Sequence, residues 1–294
     1  MRYRPHDSFV APARARSEPW RVVVGYFLAS GMQIGLIYAI FALAALTVGE
    51  TAAYSAFRDI FLNTVTSRDT LLMLSSYGFL ILGAAVVTTQ LHKRPALSLV
   101  GPPGPATRNF MVTVRALVLL YLVLWVALPD DAELARNLPV DRWLLLLPLS
   151  LAALLIQTGA EEILFRGYLQ QQIAARFRSP LVWMGLPALI FAWGHFSTDE
   201  AGINAPYAAL WAGLFSMAAA DLTARTGNLG AAVGLHFVNN AAAILIVSLP
   251  GPVSGLALYT YPFGADSPML QPLFLVDLAM LGVSWLAARV ALRV

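Results

Sequence analysis

Glu161, Glu162 and Arg166 stand within six residues of one another, directly after an apolar run at 143–156. An ionisable side chain at membrane depth costs about 3 kcal/mol or more unless it is paired, so such a cluster marks a functional site by default. Four-residue spacing puts Glu162 and Arg166 on one helix face, where they pair, while Glu161 is turned away by about 100°. One carboxylate is neutralised and the other is left for chemistry. Two more polar constellations interrupt apolar runs: Phe191-Ala192-Trp193-Gly194-His195 and His236-Phe237-Val238-Asn239-Asn240. A partly buried carboxylate can act as a general base near neutral pH, and an imidazole beside it can hold the same water. A second imidazole and a carboxamide on one helix face can donate hydrogen bonds to a developing oxyanion. The chemistry these groups suit is hydrolysis of a peptide bond by activated water, without a covalent intermediate.

Two alternatives stay open on the residues alone. Two histidines with one or two glutamates could hold zinc in an open catalytic site. The same ionisable groups could instead belong to a transporter or a non-catalytic scaffold, as a proton relay or as interhelical hydrogen bonds. A relay would spread acidic residues over several spans, whereas here they concentrate at 161–162, with Asp221 and Asp277 nearer span ends. The chain has no cysteine, which removes disulfides, thiol nucleophiles and cysteine-ligated metals. No His-Glu-x-x-His helix and no Gly-x-Ser-x-Gly-like nucleophile turn is present.

The elements that must position these residues are membrane helices. Of 294 residues, 59% are hydrophobic and 12% charged, against about 25% charged in soluble domains. Apolar runs at 22–48, 71–91, 110–128, 143–165, 181–196, 205–223, 229–249 and 270–292 give an all-α polytopic membrane bundle of about eight transmembrane helices. The run at 181–196 is short for a span of about 20 residues. Residues 1–21 read as a basic cytoplasmic segment and 22–294 as one transmembrane domain whose catalytic half is 143–250. Fifteen of the 19 basic residues fall on alternate loops, which places both termini in the cytoplasm. The chain is thus expected in a bacterial inner membrane, with the bilayer and a peptide or membrane-anchored protein as partners and no nucleic acid. Gly101-Pro102-Pro103-Gly104-Pro105 reads as a stiff turn. An antiparallel hairpin turning at Ser179-Pro180 brings Glu161 and His195 level, about 27 Å and 23 Å from the turn. Gln170, Gln171 and Gln172 would then emerge into the cytoplasm, and the site would lie in the cytoplasmic half of the bilayer. Gly194 and Gly234 are expected to let neighbouring backbones approach.

Glu161-Glu162-x-x-x-Arg166, Phe191-x-x-x-His195 and His236-x-x-x-Asn240 resemble, in order and spacing, the three motifs of the CAAX protease and bacteriocin-processing (CPBP) family of intramembrane endopeptidases, over roughly residues 143–250. The resemblance implies an eight-helix bundle with an active site open to the cytoplasmic side and membrane. It also implies roles: Glu161 as base, His195 binding the water, His236 and Asn240 stabilising the oxyanion, and Glu162 with Arg166 in support. It does not decide between a metal-free reaction, preferred here because Arg166 occupies Glu162, and a zinc-dependent one.

Overall fold

The computed structural model describes residues 3–127 and 133–294. Arg2, which enters the topology reading, and the end of the 110–128 run lie outside the described residues. All eight apolar runs form helices. In chain order the elements are α1 (Arg4–Val10), a 3-10 turn (Ala11–Arg16), α2 (Pro19–Val48), α3 (Glu50–Phe61), α4 (Ser67–Ser76), α5 (Gly78–Gln90) and α6 (Pro103–Ala127). After β1 (Ala135–Arg136) come α7 (Val140–Glu162), a π-helix (Ile163–Gln170), α8 (Gln171–Arg176), α9 (Pro180–Gly194), α10 (Thr198–Ala201) and α11 (Ala205–Thr226). The chain closes with α12 (Gly230–Ala241), a second π-helix (Ala242–Ile246), β2 (Val247–Ser248), β3 (Tyr259–Thr260) and α13 (Gln271–Leu292).

Among the described residues five helical runs are individually long and apolar enough to cross a membrane, and a sixth qualifies only if α9 and the run from α10 through α11 are taken together as a bent pair. Gly230–Ile246 is a shorter apolar helix. The expected eight transmembrane helices compare with five such spans, or six with the bent pair, among the described residues. The lipid-facing character is plain at the surface: Leu46, Trp125, Val126, Leu145, Leu181 and Val290 are each at least three-quarters exposed. Apolar patches of that extent on helices mark contact with lipid or a partner. The chain is an integral membrane helical bundle.

Successive helices reverse direction, so the bundle has two distinct ends. One end gathers the starts of α2, α6 and α12 with the ends of α5, α8, α11 and α13. There, α1 and its 3-10 turn fold back and dock, with His6, Phe9, Val10 and Ala13 buried. Tyr3 donates to Asp221 Oδ1 at 2.7 Å, and Arg225 pairs with Asp221 Oδ2 at 2.6 Å. Gln170 donates to the Ala220 carbonyl, and Gln171 to the Phe9 and Ser98 carbonyls. Gln170, Gln171 and Gln172 are fully buried, a correction to their expected emergence into the cytoplasm. The N-terminal segment contributes to this cover, with His6 against Gln170 and the Phe9 carbonyl on Gln171, and its periodicity is too short to announce a docking face.

The Gly-Pro stretch is also corrected. Pro103, Gly104 and Pro105 form the first turn of α6, where a missing N–H costs no hydrogen bond. Gly101, at φ +86, makes the turn before it, and a side chain there would meet Gly227 and Asn228. The opposite end carries α3, the α9–α10 break and a three-stranded sheet in the order β1-β3-β2. In it β1 is antiparallel and β2 parallel to β3.

Candidate active site

The hairpin turn falls where the sequence puts it: α8 ends at Arg176 and α9 begins at Pro180. Helix α11 returns alongside α9, with Gly213 packed against Ala192 and Phe191 stacked near Phe215. Glu162, at the end of α7, is fully buried, and Arg166, one turn on, is 1% exposed. Arg166 Nη1 donates to Glu162 Oε1 at 2.8 Å. The π-helix starts immediately after Glu162; such widened turns concentrate at functional sites. Arg166 lies over the rings of Phe191 and Phe215, at 5.2 and 5.9 Å, which provides a cation–π partner for a buried guanidinium.

Helix α12 delivers His236 to the same spot. Its Nδ1 lies 2.8 Å from Glu162 Oε1, so that oxygen serves both Arg166 and His236. A carboxylate only accepts, so Nδ1 carries a proton and donates. The other ring nitrogen, Nε2, faces Glu161 Oε2 at 3.6 Å, too far for a direct hydrogen bond. The edge of His236 packs against Phe215, with centroids 4.8 Å apart. Glu162 is therefore more than the neutralised half of an ion pair: it fixes the tautomer and direction of His236.

Glu161 is the exposed member of the pair, 13% accessible, and it lines a large cavity of about 1840 Å³. Gln157 and His195 line the same cavity. His195 caps α9 and donates from Nδ1 to the Phe191 carbonyl at 2.8 Å, with its ring stacked 4.4 Å from Phe191. As a neutral ring it presents Nε2 as an acceptor. Asn240, one turn beyond His236, is half-buried and donates from Nδ2 to Gln157 Oε1 at 3.1 Å. The structure thus joins Glu161, Glu162, Arg166 and His236 by direct contact or near approach and gives His195 the same cavity wall as Glu161. Asn240 is linked through Gln157.

Three contributors escape sequence reasoning. Gln157 sits four residues before Glu161, on the same α7 face, and that spacing is the one signal that could have found it. Phe215 shows only as another apolar residue of α11. Val238, whose side chain is also on the cavity wall, is equally ordinary in sequence. Of the two glycines expected to allow close packing, Gly234 does so, since a Cβ there would lie 3.0 Å from Thr113 and 3.1 Å from the Phe110 carbonyl. Gly194 faces open space, a correction with a simple cause: it ends α9 beside the cavity rather than against a neighbouring helix. Among the described residues no three His, Asp or Glu side chains converge as metal ligands.

Residues 143–242 match the Rce1-like family, described as Type II CAAX prenyl endopeptidase Rce1-like. The matched stretch contains all three motifs, so the resemblance drawn from seven positions extends over the helices that carry them. The chain is also 23% identical to the uncharacterized protein YyaK of Bacillus subtilis (strain 168), over 95% of each chain. No solved structure matches.

Proposed function

We propose that this chain is an intramembrane endopeptidase in which Glu161 activates water for attack on a peptide carbonyl. The observation that carries the reading is the division of labour between adjacent glutamates. Glu162 is buried and engaged by Arg166 and His236, while Glu161 opens onto the cavity with His236 Nε2 beside it. In the proposed step Glu161 takes a proton from water as the oxygen bonds to the carbonyl carbon. The carbonyl electrons move to oxygen, and the resulting oxyanion is met by Asn240 Nδ2 and by His236. Glu161 then returns the proton to the amide nitrogen as the C–N bond breaks, leaving a carboxylic acid and an amine, between which the remaining proton passes to give carboxylate and ammonium. His236 donates from Nε2 only as an imidazolium, because its Nδ1 proton is committed to Glu162. His195 Nε2 accepts a hydrogen from the attacking water.

Zinc held by two histidines and a glutamate would be the second reading, but it needs a convergence of three such side chains that the described residues do not make. We place the reacting groups in the half of the bilayer nearer the basic end, with both termini cytoplasmic in an inner membrane. His236 lies six residues into α12 from that end, about 9 Å. Purified protein and a panel of labelled membrane-anchored peptides, prenylated and not, test the reading. Glu161→Gln should lower cleavage by about 100-fold to 10,000-fold with an unchanged elution profile, and a fully active Glu161→Gln protein would refute it.

A further inference from the structure

The cavity that reaches Glu161 has a direction. Its wall on α7 runs from Trp143 near the start of that helix through Leu147, Leu151 and Gln157 to Glu161, and it takes no residue from the π-helix or α8 beyond. On α6 it uses Val118, Tyr121, Leu122 and Trp125, toward the end; on α13 it uses residues between Leu270 and Met280, toward the start. The remainder comes from α4 and the segment before it, the α9–α10 break, Trp211 of α11, the later part of α12 with its π-helix, and the strands and loops that follow. Every one of these positions lies on the glutamate level or on the side away from α1. No lining residue comes from the end where α1, its 3-10 turn and the buried glutamines meet. That end is closed by tight packing. His92 bonds the Arg16 carbonyl and the Tyr168 hydroxyl, Tyr168 in turn donates to the Arg21 carbonyl, and a Cβ on Gly167 would overlap the Leu99 carbonyl.

Charge identifies which end is which. Fifteen of the 19 Lys and Arg side chains belong by sequence position to the closed end, leaving Arg58, Arg68, Arg136 and Arg142 at the open one. Such an excess stays in the cytoplasm. We propose that substrate reaches Glu161 from the extracytoplasmic end of the bundle, so that the peptide bond cleaved belongs to a membrane-anchored chain whose scissile segment enters from the outer face. This is the reverse of the cytoplasmic opening that the motif resemblance implies. The active groups sit deep, near the cytoplasmic side, yet their access lies on the other. The lining also contains Asp199, Glu200, Asp266 and Asp277 and no Lys or Arg. The cavity defines the site, and the sign of its wall adds that an uncharged or cationic segment is admitted in preference to an anionic one.

The proposal rests on the endopeptidase reading for what is cleaved, but its test does not need catalysis. The chain is free of cysteine, so single cysteines can be placed without background. Ala242→Cys and Ala265→Cys lie on the cavity wall, and Gly104→Cys stands in open space at the closed end. Each is treated with membrane-impermeant thiosulfonates, one bearing trimethylammonium and one sulfonate, on spheroplasts and on inside-out vesicles. Cavity cysteines should react on spheroplasts and be protected in inside-out vesicles, with Gly104→Cys showing the reverse. At Ala242→Cys the cationic reagent should react at least several-fold faster than the anionic one, relative to their rates with a small free thiol. Labelling of Ala242→Cys from inside-out vesicles, from both sides or from neither overturns the access route. Gly104→Cys reacting on spheroplasts overturns the orientation, and a charge ratio at or below that of the free thiol overturns the substrate charge. An inactive peptidase with outward-reacting cavity cysteines would instead sink the endopeptidase reading alone.

Discussion

Glu162 is the residue whose replacement separates folding from catalysis. Its Oε1 accepts from Arg166 Nη1 and from His236 Nδ1, each at 2.8 Å, in a site where all three side chains are at most 5% exposed. Glu162→Gln leaves the Arg166 cation buried with no counter-charge, and breaking a buried pair from one side costs about 3–5 kcal/mol. The single variant should therefore show poor folded yield and a melting midpoint lower by on the order of 10 °C. The informative variant is the double replacement Glu162→Leu with Arg166→Met. Removing both charges from a buried pair and filling the space with apolar groups is often neutral or stabilising, so the yield and midpoint should return to near the parent values. Activity should not return, because His236 has lost the acceptor that fixes its ring. Loss of the group that orients a catalytic histidine costs on the order of 10,000-fold in the best-studied triads, and about 100-fold is the smallest loss compatible with this role. The assay is peptide cleavage by purified protein alongside thermal unfolding of the same preparation. A well-folded double variant with parental activity would refute the claim that Glu162 acts through His236 and reduce it to a structural counter-ion.

Asn240→Ala should slow cleavage by about 100-fold, the effect of one oxyanion donor. Gln157→Ala, which frees Asn240 from its acceptor without removing it, should cost less; equal losses in steady-state rates would mean that Asn240 acts only through its hydrogen bond to Gln157. Strong chelators should leave cleavage unchanged, whereas activity lost on dialysis against a zinc chelator and restored by zinc would move the reaction to the metal reading. Reporter fusions after residues 100, 178 and 294 should report cytoplasm and those after 60, 135, 200 and 260 the other side; a cytoplasmic signal at 200 would break the antiparallel pairing of α9 and α11 with the rest. His6 supplies a pH prediction. Burial against Trp183 lowers its pKa to about 4, with Asp7 opposing, and its Nε2 accepts from Gln170. Neutral His6 is thus the folded form, so stability holds above about pH 6.5 and falls as pH drops toward 4, by about 2 kcal/mol at pH 5. Melting curves at pH 7 and 5 should differ for the parent and less for His6→Phe; identical acid sensitivity in both would place the effect elsewhere.

The site was legible in sequence because polar residues in apolar helices are conspicuous and because a four-residue spacing maps onto one face without knowledge of the tertiary fold. That is enough to pair Glu162 with Arg166 and to put His236 and Asn240 on one side of α12. It cannot show that Glu162 Oε1 also receives His236 Nδ1, since that bond joins residues 74 apart and depends on how α12 packs on α7. The docked N-terminal segment was hidden for a different reason. Its buried residues, His6, Phe9, Val10 and Ala13, are few, and its arginines read as a topology signal. Gln170, Gln171 and Gln172 look like a polar exit from the membrane until carbonyls of Phe9, Ser98 and Ala220 are seen to accept from two of them.

Depth and access are separate properties of an intramembrane site, and this chain divides them between its two ends. In the proposed orientation the basic residues put the glutamates nearer the cytoplasm, and a linear sequence carries that signal. Access depends instead on which end the packing leaves open. Here α1, the buried glutamines and the His92–Tyr168 bond seal the near end, while α9 stops at Gly194 and α12 gives way to a π-helix and two-residue strands on the far side. Short helices at the open end leave volume that longer ones would fill. The truncation of α9 and α12, which makes them poor membrane spans by length, is what leaves Glu161 reachable.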